Sequence, residues 1–560
     1  FPTRRSSDLD SKISTLAVSA LSAAQLSFVD SSGKKLISDL SAAQLLSISG
    51  SVLGSLTAEV SAQLSVAQLQ VLTLAGVQSL NVSLYSVAQL LAQNQTGATV
   101  ISQLLPAQIG KLPVQIVSSL DPSVVVGLTA LQMSGFLSAQ VAALSVAQLS
   151  GLSVNQFQAL NSSAFELSTL LGSNSSGQKL LSSLSLSQLG ALSAQTTANL
   201  TQDNFNLLST EKVQALDGSK LAASQLGYLD AQAQSVFADL TTSQMSRLSL
   251  GQIGLVDAAT FAKFSSAQLA ALTQTQVTQL TGNQIAALSQ AQIQSLNASG
   301  MTLQTLFATD TTTGHLVVDE LTQDQKAALA TYSGVAQVLR SLQGQIDSST
   351  GVTQNQVNEL KTFANLVTSV AGTGSYIAYI SNALVNGDKF NAAWTGGSSH
   401  TDVLGNLDVG SSATAYNELF SKWILGGDNP SQLFGIDVPI YSNNQPKYQA
   451  NTNPLFGASG VPSASDVNQQ AVGDCYFLAA LASVAKTDPD FIKDMITDNG
   501  NGTYGVRFYD AKGVVSYLTV NNEAESLAAV SGNGSSWVSV VEKAYAEFRS
   551  VHDRYVVDDD

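Results

Sequence analysis

Residues 241–296 read TTSQMSRL, SLGQIGLV, DAATFAKF, SSAQLAAL, TQTQVTQL, TGNQIAAL and SQAQIQSL, seven gapless units that set a period of eight. Most units begin with Ser or Thr, carry Gln fourth and an apolar residue fifth, and end in Leu. The same pattern runs in phase from LPAQIGKL to SVNQFQAL over 105–160 and recurs over 185–216. Isolated units such as SAAQLLSI (41–48) and SVAQLQVL (65–72) carry it toward the N-terminus.

Every fixed position has a role at a helix start. In the unit Leu272 to Leu280, Thr273 as N-cap accepts from the backbone N–H of Gln276, and the Gln276 side chain reaches back to the Thr273 N–H. Leu272, before the cap, packs on Val277 as a hydrophobic staple. A start signal every eight residues predicts a helix that restarts every eight residues. One continuous helix would rotate its apolar stripe by roughly 80° per unit and leave no face to bury. Helices of one to two turns are marginal alone, so the units are expected to stack into a solenoid around their Leu, Ile and Val rows. The competing reading is ordinary amphipathic helices of about 12–16 residues, each covering two units.

Outward from the array, the predicted fold is mainly α. An octad-repeat solenoid covers 10–300 and a helical connector 301–395. A Gly/Pro/Asn-rich, extended lead-in (396–465) follows, and an α+β module occupies 466–560. Residues 1–9 (FPTRRSSDL) share neither composition nor period with the rest and read as a scar of truncation or assembly. The array shows no ionisable cluster, aromatic ladder or basic stripe, which makes it a spacer or a scaffold for a protein partner. The Asn-x-Ser/Thr triplets at Asn81, Asn161, Asn174, Asn199 and Asn297 carry no weight in a chain so rich in Ser and Asn.

The chain is 560 residues long, 44% hydrophobic and only 11% charged, with a net charge of −16. That charge repels phosphate backbones and anionic lipid, so nucleic acid is excluded as an expected partner. An acidic surface also suits calcium-rich extracellular media. No run of about 18 apolar residues is present, so no spanning helix is expected, and the N-terminus lacks a signal-peptide pattern. A single cysteine excludes an intramolecular disulfide and any multi-thiolate zinc site.

That cysteine lies in VNQQAVGDCYFLAALASVA (467–485), where a Gly-Asp turn precedes an apolar, Ala-rich run predicted to be a buried helix. Cys475 opens the helix, where the positive end of the macrodipole favours a thiolate. Gln469, six residues upstream, can donate its amide to an oxyanion forming beside the sulfur. A plain buried cysteine explains the residue equally well on these grounds. Downstream, TYGVRFYDAKGVVSYLTV (503–520) reads as a β-hairpin around Asp-Ala-Lys-Gly. SSWVSVVEKAYAEF (535–548) reads as an amphipathic helix burying Trp537, Val540, Val541, Ala544, Tyr545 and Phe548.

The segment resembles the calpain family of cysteine proteases through Gln469, Gly473, Asp474, Cys475, Tyr476, Phe477 and Leu478, then the hairpin, then Trp537 and Glu542-Lys543-Ala544-Tyr545. The resemblance implies a papain-like fold and hydrolysis of peptide bonds through a thioester acyl-enzyme. Cys475 would be the nucleophile, Gln469 the oxyanion donor, a His the base and an Asn its orienter, with proteins or peptides as substrates. It admits calcium without identifying ligands, so the metal site is left unknown and no other cofactor is expected. Two departures stand out: Gln470 replaces the family's Gly, and Asn521-Asn522 replaces an acidic pair. The family's His and Asn belong to a later β-rich lobe, while His315, His400 and His552 read as solvated surface residues. The catalytic domain is therefore expected to be incomplete and residues 1–560 inactive on their own. The alternative is a non-enzymatic interaction or adhesion protein carrying an inert calpain-like module. A purely structural repeat protein would leave Cys475 behind Gly473-Asp474 unexplained. The expected source is a bacterial protein, secreted or at the cell surface.

Overall fold

In the computed structural model the described residues are all except 1–12, 14–15, 30–32, 398–401, 431–446, 471–473, 526–528, 530–533 and 553–560. The chain forms two compact units, Phe1–Val256 and Asp257–Asp560.

In the first unit the helix restarts at each octad. Pro106–Ile109, Val114–Ser119, Pro122–Val126, Ala130–Met133, Ser138–Ala142, Val146–Ser150 and Val154–Gln158 are separate helices of four to six residues. The reading of longer helices spanning two octads is thus overturned. Each unit's closing Leu breaks the helix in an extended conformation, as at Leu120 (φ −66°, ψ 138°), and is buried. From 106 to 158 the helices pack on those three octads away, as Pro106–Ile109 does on Ala130–Met133 and Pro122–Val126 on Val146–Ser150.

The octad Gln does more than cap. Gln148 Oε1 accepts from the Ser145 N–H at 2.9 Å, while its Nε2 donates to Val117 O and Leu120 O, 31 and 28 residues earlier, at 3.0 and 2.9 Å. Gln108, Gln140, Gln188 and Gln244 make the same double reach, to the apolar residue and the Leu of the octad four units back. These carbonyls end short helices and would otherwise lack a donor inside the stack. The repeat thus stitches successive coils with a buried amide, and its 28- and 31-residue reach fixes a coil of between three and four octads.

Besides the turn bridged Val29↔Lys35, whose tip lies outside the described residues, three hairpin turns interrupt the octads of this unit, closed by the bridges Gln93↔Thr99, Ser173↔Lys179 and Leu229↔Ser235. Each is folded around an Asx side chain. Asn94 Oδ1 accepts from the N–H groups of Thr96 and Ala98, Asn174 Oδ1 from those of Ser176 and Gln178, and Asp230 Oδ1 from those of Gln232 and Gln234. Gly97 and Gly177 supply the positive φ (82° and 78°) three residues after the Asx, where the third turn holds Ala233 at φ 59°. Nine residues after the Asx stand Gln103, Ser183 and Asp239 respectively. Gln103 donates its amide to Thr99 O at 3.2 Å. Asp239 instead contacts the carboxyl of Asp230, and both are buried. The expectation of an array without ionisable clusters is corrected here: the Asp230 turn carries a buried carboxyl pair where the Asn94 and Asn174 turns carry neutral side chains.

The second unit opens with the same octads. Thr273 accepts from the Gln276 N–H at 3.2 Å, Gln276 Oε1 accepts from the Thr273 N–H at 2.8 Å, and Leu272 and Val277 are buried. The segment around His315, inside the predicted helical connector, is another such turn, bridged Thr309↔Leu316 around Asp310, with Asp310 against Glu320. Longer helices follow: α1 (Gln354–Ala371), α2 (Tyr376–Val385) and α3 (Ala413–Phe420), the last continuing into a π-helical turn over Ser421–Leu425. Residues 413–425 therefore correct the picture of a wholly extended lead-in. Ser412 caps the helix, Tyr416, Leu419, Phe420, Trp423 and Ile424 are buried, and Gly426 ends it at φ 59°.

The rest of the unit comprises β1 (Tyr448–Ala450), α4 (Cys475–Thr487), α5 (Pro489–Met495), β2 (Ile496–Asp498), β3 (Thr503–Tyr509), β4 (Val515–Asn521), β5 (Glu523–Glu525) and α6 (Trp537–His552). β2, β3 and β4 form an antiparallel sheet, and β1 pairs with β5. The hairpin β3–β4 turns at Asp510–Gly513 as its sequence predicts, with Tyr509 paired to Val515. α6 packs on one face of the sheet. On the other, Tyr376 of α2 meets Thr519 at 2.8 Å, Thr519 donates to Trp423 O at 2.7 Å, and the Asn521 N–H donates to Gly426 O at 3.1 Å.

Candidate active site

The site is built where α4 begins. Asp474 is the N-cap, and its backbone carbonyl accepts from the N–H groups of Phe477 and Leu478 at 2.8 and 3.1 Å. Its side chain makes no cap hydrogen bond. Cys475 is the first helical residue and is exposed.

The run after Cys475 does not form a buried helix. Only Leu478, Leu481 and Ala485 are buried, while Tyr476 is 52% exposed. The physical reason lies in the spacing: an i, i+3, i+7 stripe is enough to seat the helix, and the alanines between cost little at the surface. α4 is a half-exposed helix presenting Cys475.

α6 lies behind that turn. The Phe477 ring stacks on Tyr545 with centroids 3.6 Å apart and planes 7° from parallel, and Phe508 of β3 packs on Phe548 at 4.9 Å. The Arg549 guanidinium lies 5.6 Å from the Tyr476 ring and donates to its hydroxyl. The start of α6 is pinned by Trp537, fully buried, whose Nε1 donates to Asp466 at 2.8 Å. Of the six residues predicted to be buried on α6, Tyr545 is only half-buried because it edges the exposed face of α4; the other five are buried.

Three charged residues of α6 have roles that amphipathic reading missed. Glu542 accepts from the Ala529 N–H at 2.7 Å and contacts the Asp474 carboxyl. Lys543 donates to Asn429 Oδ1, Asn521 O and Glu523 O at 3.2, 2.7 and 2.6 Å, and burial pulls its ammonium down to about 7. Asn521, a departure from the family's acidic pair, thus serves as a lysine acceptor. Glu547, also on α6, pairs with Lys422 at 2.9 Å; burial pushes its carboxyl up to about 7, with Lys422 opposing. The charged letters inside EKAYAE were the available signal, since three such residues on the inward side of a helix need partners.

Gln469 is exposed on the approach to α4; Gly473 lies outside the described residues. His315 is exposed in the Asp310 turn, whereas His400 and the His552 side chain lie outside the described residues. Among the described residues no three His, Cys, Asp or Glu side chains converge as metal ligands, so no calcium site is assigned. Among them, too, no helix is long and apolar enough to cross a membrane.

With this geometry in place, comparison with known proteins identifies the module. Residues 444–557 match the family model of the calpain family cysteine protease. The segment fits the calpain-like family that its two motifs suggest. Calpain clp-4 of Caenorhabditis elegans is 35% identical over 106 residues, which are 17% of this chain and 14% of that protein. The chain thus spans a small part of the curated relative it matches.

Proposed function

We propose that the protein is a calpain-like cysteine endopeptidase in which the Cys475 thiolate attacks the scissile carbonyl. The C–S bond forms, the C–N bond breaks as the amine takes a proton from the general acid, and water then hydrolyses the thioester. Gln469 donates its amide to the oxyanion of each tetrahedral intermediate. The general base and its orienting residue are not assigned to any residue of 1–560. The octad array serves as a scaffold that holds the protease or its protein partner. The observation that carries this reading is an exposed cysteine, the chain's single one, on the first turn of α4 with the second motif helix stacked behind it.

The test is peptide hydrolysis by the protein as its gene encodes it, compared with Cys475→Ser and Gln469→Ala. The serine variant should lose hydrolysis with its melting temperature unchanged, and Gln469→Ala should lower kcat by roughly 10²–10³. Hydrolysis retained by Cys475→Ser would refute the assignment.

A further inference from the structure

Lys422, Asp428 and Glu547 form a triad sealed inside the second unit, 4%, 8% and 7% exposed. Lys422 Nζ touches Asp428 Oδ2, lies 2.9 Å from Glu547 Oε1 and otherwise reaches only Ala393 O at 3.5 Å. The other oxygen of Asp428 is held differently. Oδ1 accepts from the backbone N–H groups of Thr395 and Gly396 at 2.8 and 2.9 Å, two successive donors that converge where Gly396 takes a positive φ of 54°. Such a nest stabilises negative charge on the oxygen it cradles. The Asp428 carboxyl thus has an oxyanion hole on one oxygen, an amine on the other and a second carboxyl beside that amine. These are the parts of an acyl-transfer site: an electrophile, a nucleophile and a proton relay, held together away from water. Lys543, the buried lysine of α6, contacts Asn429, Asn521 and Glu523 through amide and backbone oxygens and meets no carboxyl in this way.

We propose that Lys422 and Asp428 are joined by an intramolecular isopeptide bond that the folded chain forms by itself, with Glu547 as the proton relay. The triad as the structure shows it is the state before reaction. Burial opposes charge on Lys422, but Glu547 and Asp428 outweigh it, so the step starts from an ammonium between carboxyls. The ammonium gives one proton to Asp428 Oδ2, and the resulting amine attacks Cγ, one bond beyond the oxygen it touches. Oδ1 becomes the oxyanion in the Thr395–Gly396 nest. Glu547 takes a second proton from the nitrogen and returns it to Oδ2; the Cγ–Oδ2 bond breaks and Oδ2 leaves as water. The N–Cγ amide remains and Glu547 ends as it began, so no oxidant, metal or activated donor is required. Burial pushes the Glu547 carboxyl up to about 7, where it can both take and give a proton near neutral pH. Burial also favours a neutral amide over two ions and keeps out the water that would hydrolyse it. The bond closes a ring over residues 422–428. It fixes the Gly426–Gly427 turn, whose Gly426 carbonyl accepts from the Asn521 N–H of β4 at 3.1 Å and whose Gly427 N–H donates to Ser421 O at 3.0 Å. Cys475 takes no part, so the proposal stands independently of the protease reading.

The test is intact-mass spectrometry of the denatured protein as its gene encodes it, followed by tryptic mapping. The wild type should be lighter by one water than its sequence requires. Trypsin should fail to cut after Lys422, and the peptide that contains it should give no backbone fragments between 422 and 428. A wild-type mass equal to that of the sequence overturns the proposal, whether or not any variant folds. So does a missing water that maps elsewhere, or to an imide at Asp428 with Lys422 still cut by trypsin. Lys422→Arg and Asp428→Ala should have the full mass of their sequences; either one still lacking the water contradicts the assigned bond. Glu547→Gln keeps an acceptor for Lys422 but cannot relay a proton, and its cross-linked fraction should fall at least about tenfold. A Glu547→Gln protein cross-linked as fully as the wild type removes Glu547 from the mechanism.

Discussion

Lys422 is a buried cation (4% exposed) held between Asp428 and Glu547, and it joins the π-helical turn after α3 to α6. Burial alone would pull its ammonium down, but Glu547 and Asp428 outweigh that and keep it charged. Replacing it with Met leaves two carboxylates facing each other without a cation. Lys422→Met should therefore cost about 3–5 kcal/mol, read as a lower denaturant midpoint for the second unit. Ala233 presents the opposite case, a strained residue that a substitution relieves. It holds φ 59° where three sister turns have Gly (Gly33, Gly97 and Gly177), so Ala233→Gly should stabilise the first unit by roughly 1 kcal/mol. An unchanged midpoint would mean that the turn bears no strain. Nothing in the sequence alone flagged either residue: Ala233 differs from Gly by one methyl, and Lys422 finds its partner Glu547 more than a hundred positions away.

At the scale of elements, the octad was legible because its information is local. Cap, reciprocal Gln and staple lie within one turn of each other, so Ser/Thr-x-x-Gln predicts each restart. The second job of Gln was not legible, since a side chain that reaches 28 and 31 residues back leaves no local mark beyond its own periodicity. Gln140→Leu tests it. The variant keeps the apolar bulk but strips donors from the carbonyls of Ile109 and Leu112, and should lose about 2 kcal/mol. A loss no larger than that of an ordinary N-cap change would show that the inter-coil bonds contribute nothing. The carboxyl pair of the third turn adds a pH dependence. Burial first, and the Asp230 charge second, push Asp239 up to about 6 from its ordinary 3.8. Because the folded value is the higher, its contribution to stability is full below pH ~4 and is lost as pH rises through about 6. Asp230 shifts the other way, so its contribution is present above its ordinary value and is lost only below it, outside that window. Asp239→Asn should erase the slope between pH 4 and 6 in thermal melts of the first unit; a slope that persists assigns it to other groups.

For the molecule as a whole, the sequence announced an array and a protease-like segment by two different signals, repetition and motif. What lay between them was harder to read. Residues 376–429 carry enough Gly, Asn and Asp to resemble a connector, yet Tyr376, Trp423 and Gly426 pack directly on the sheet that holds the hairpin β3–β4. Such packing depends on side chains complementary to a surface made by residues 503–521, and no spacing within 376–429 encodes that surface. The candidate site was legible to the same extent: Cys475 and the stacked motif helix could be named from the chain, while Asp474 facing Glu542 needed three dimensions. The central claim is that Cys475 is a nucleophile poised at a helix terminus rather than an incidental thiol. The most direct measurement is the second-order rate of its alkylation by iodoacetamide at pH 6, beside free cysteine in the same buffer. The account predicts labelling at least about tenfold faster than free cysteine, and a rate equal to or below it would contradict the claim.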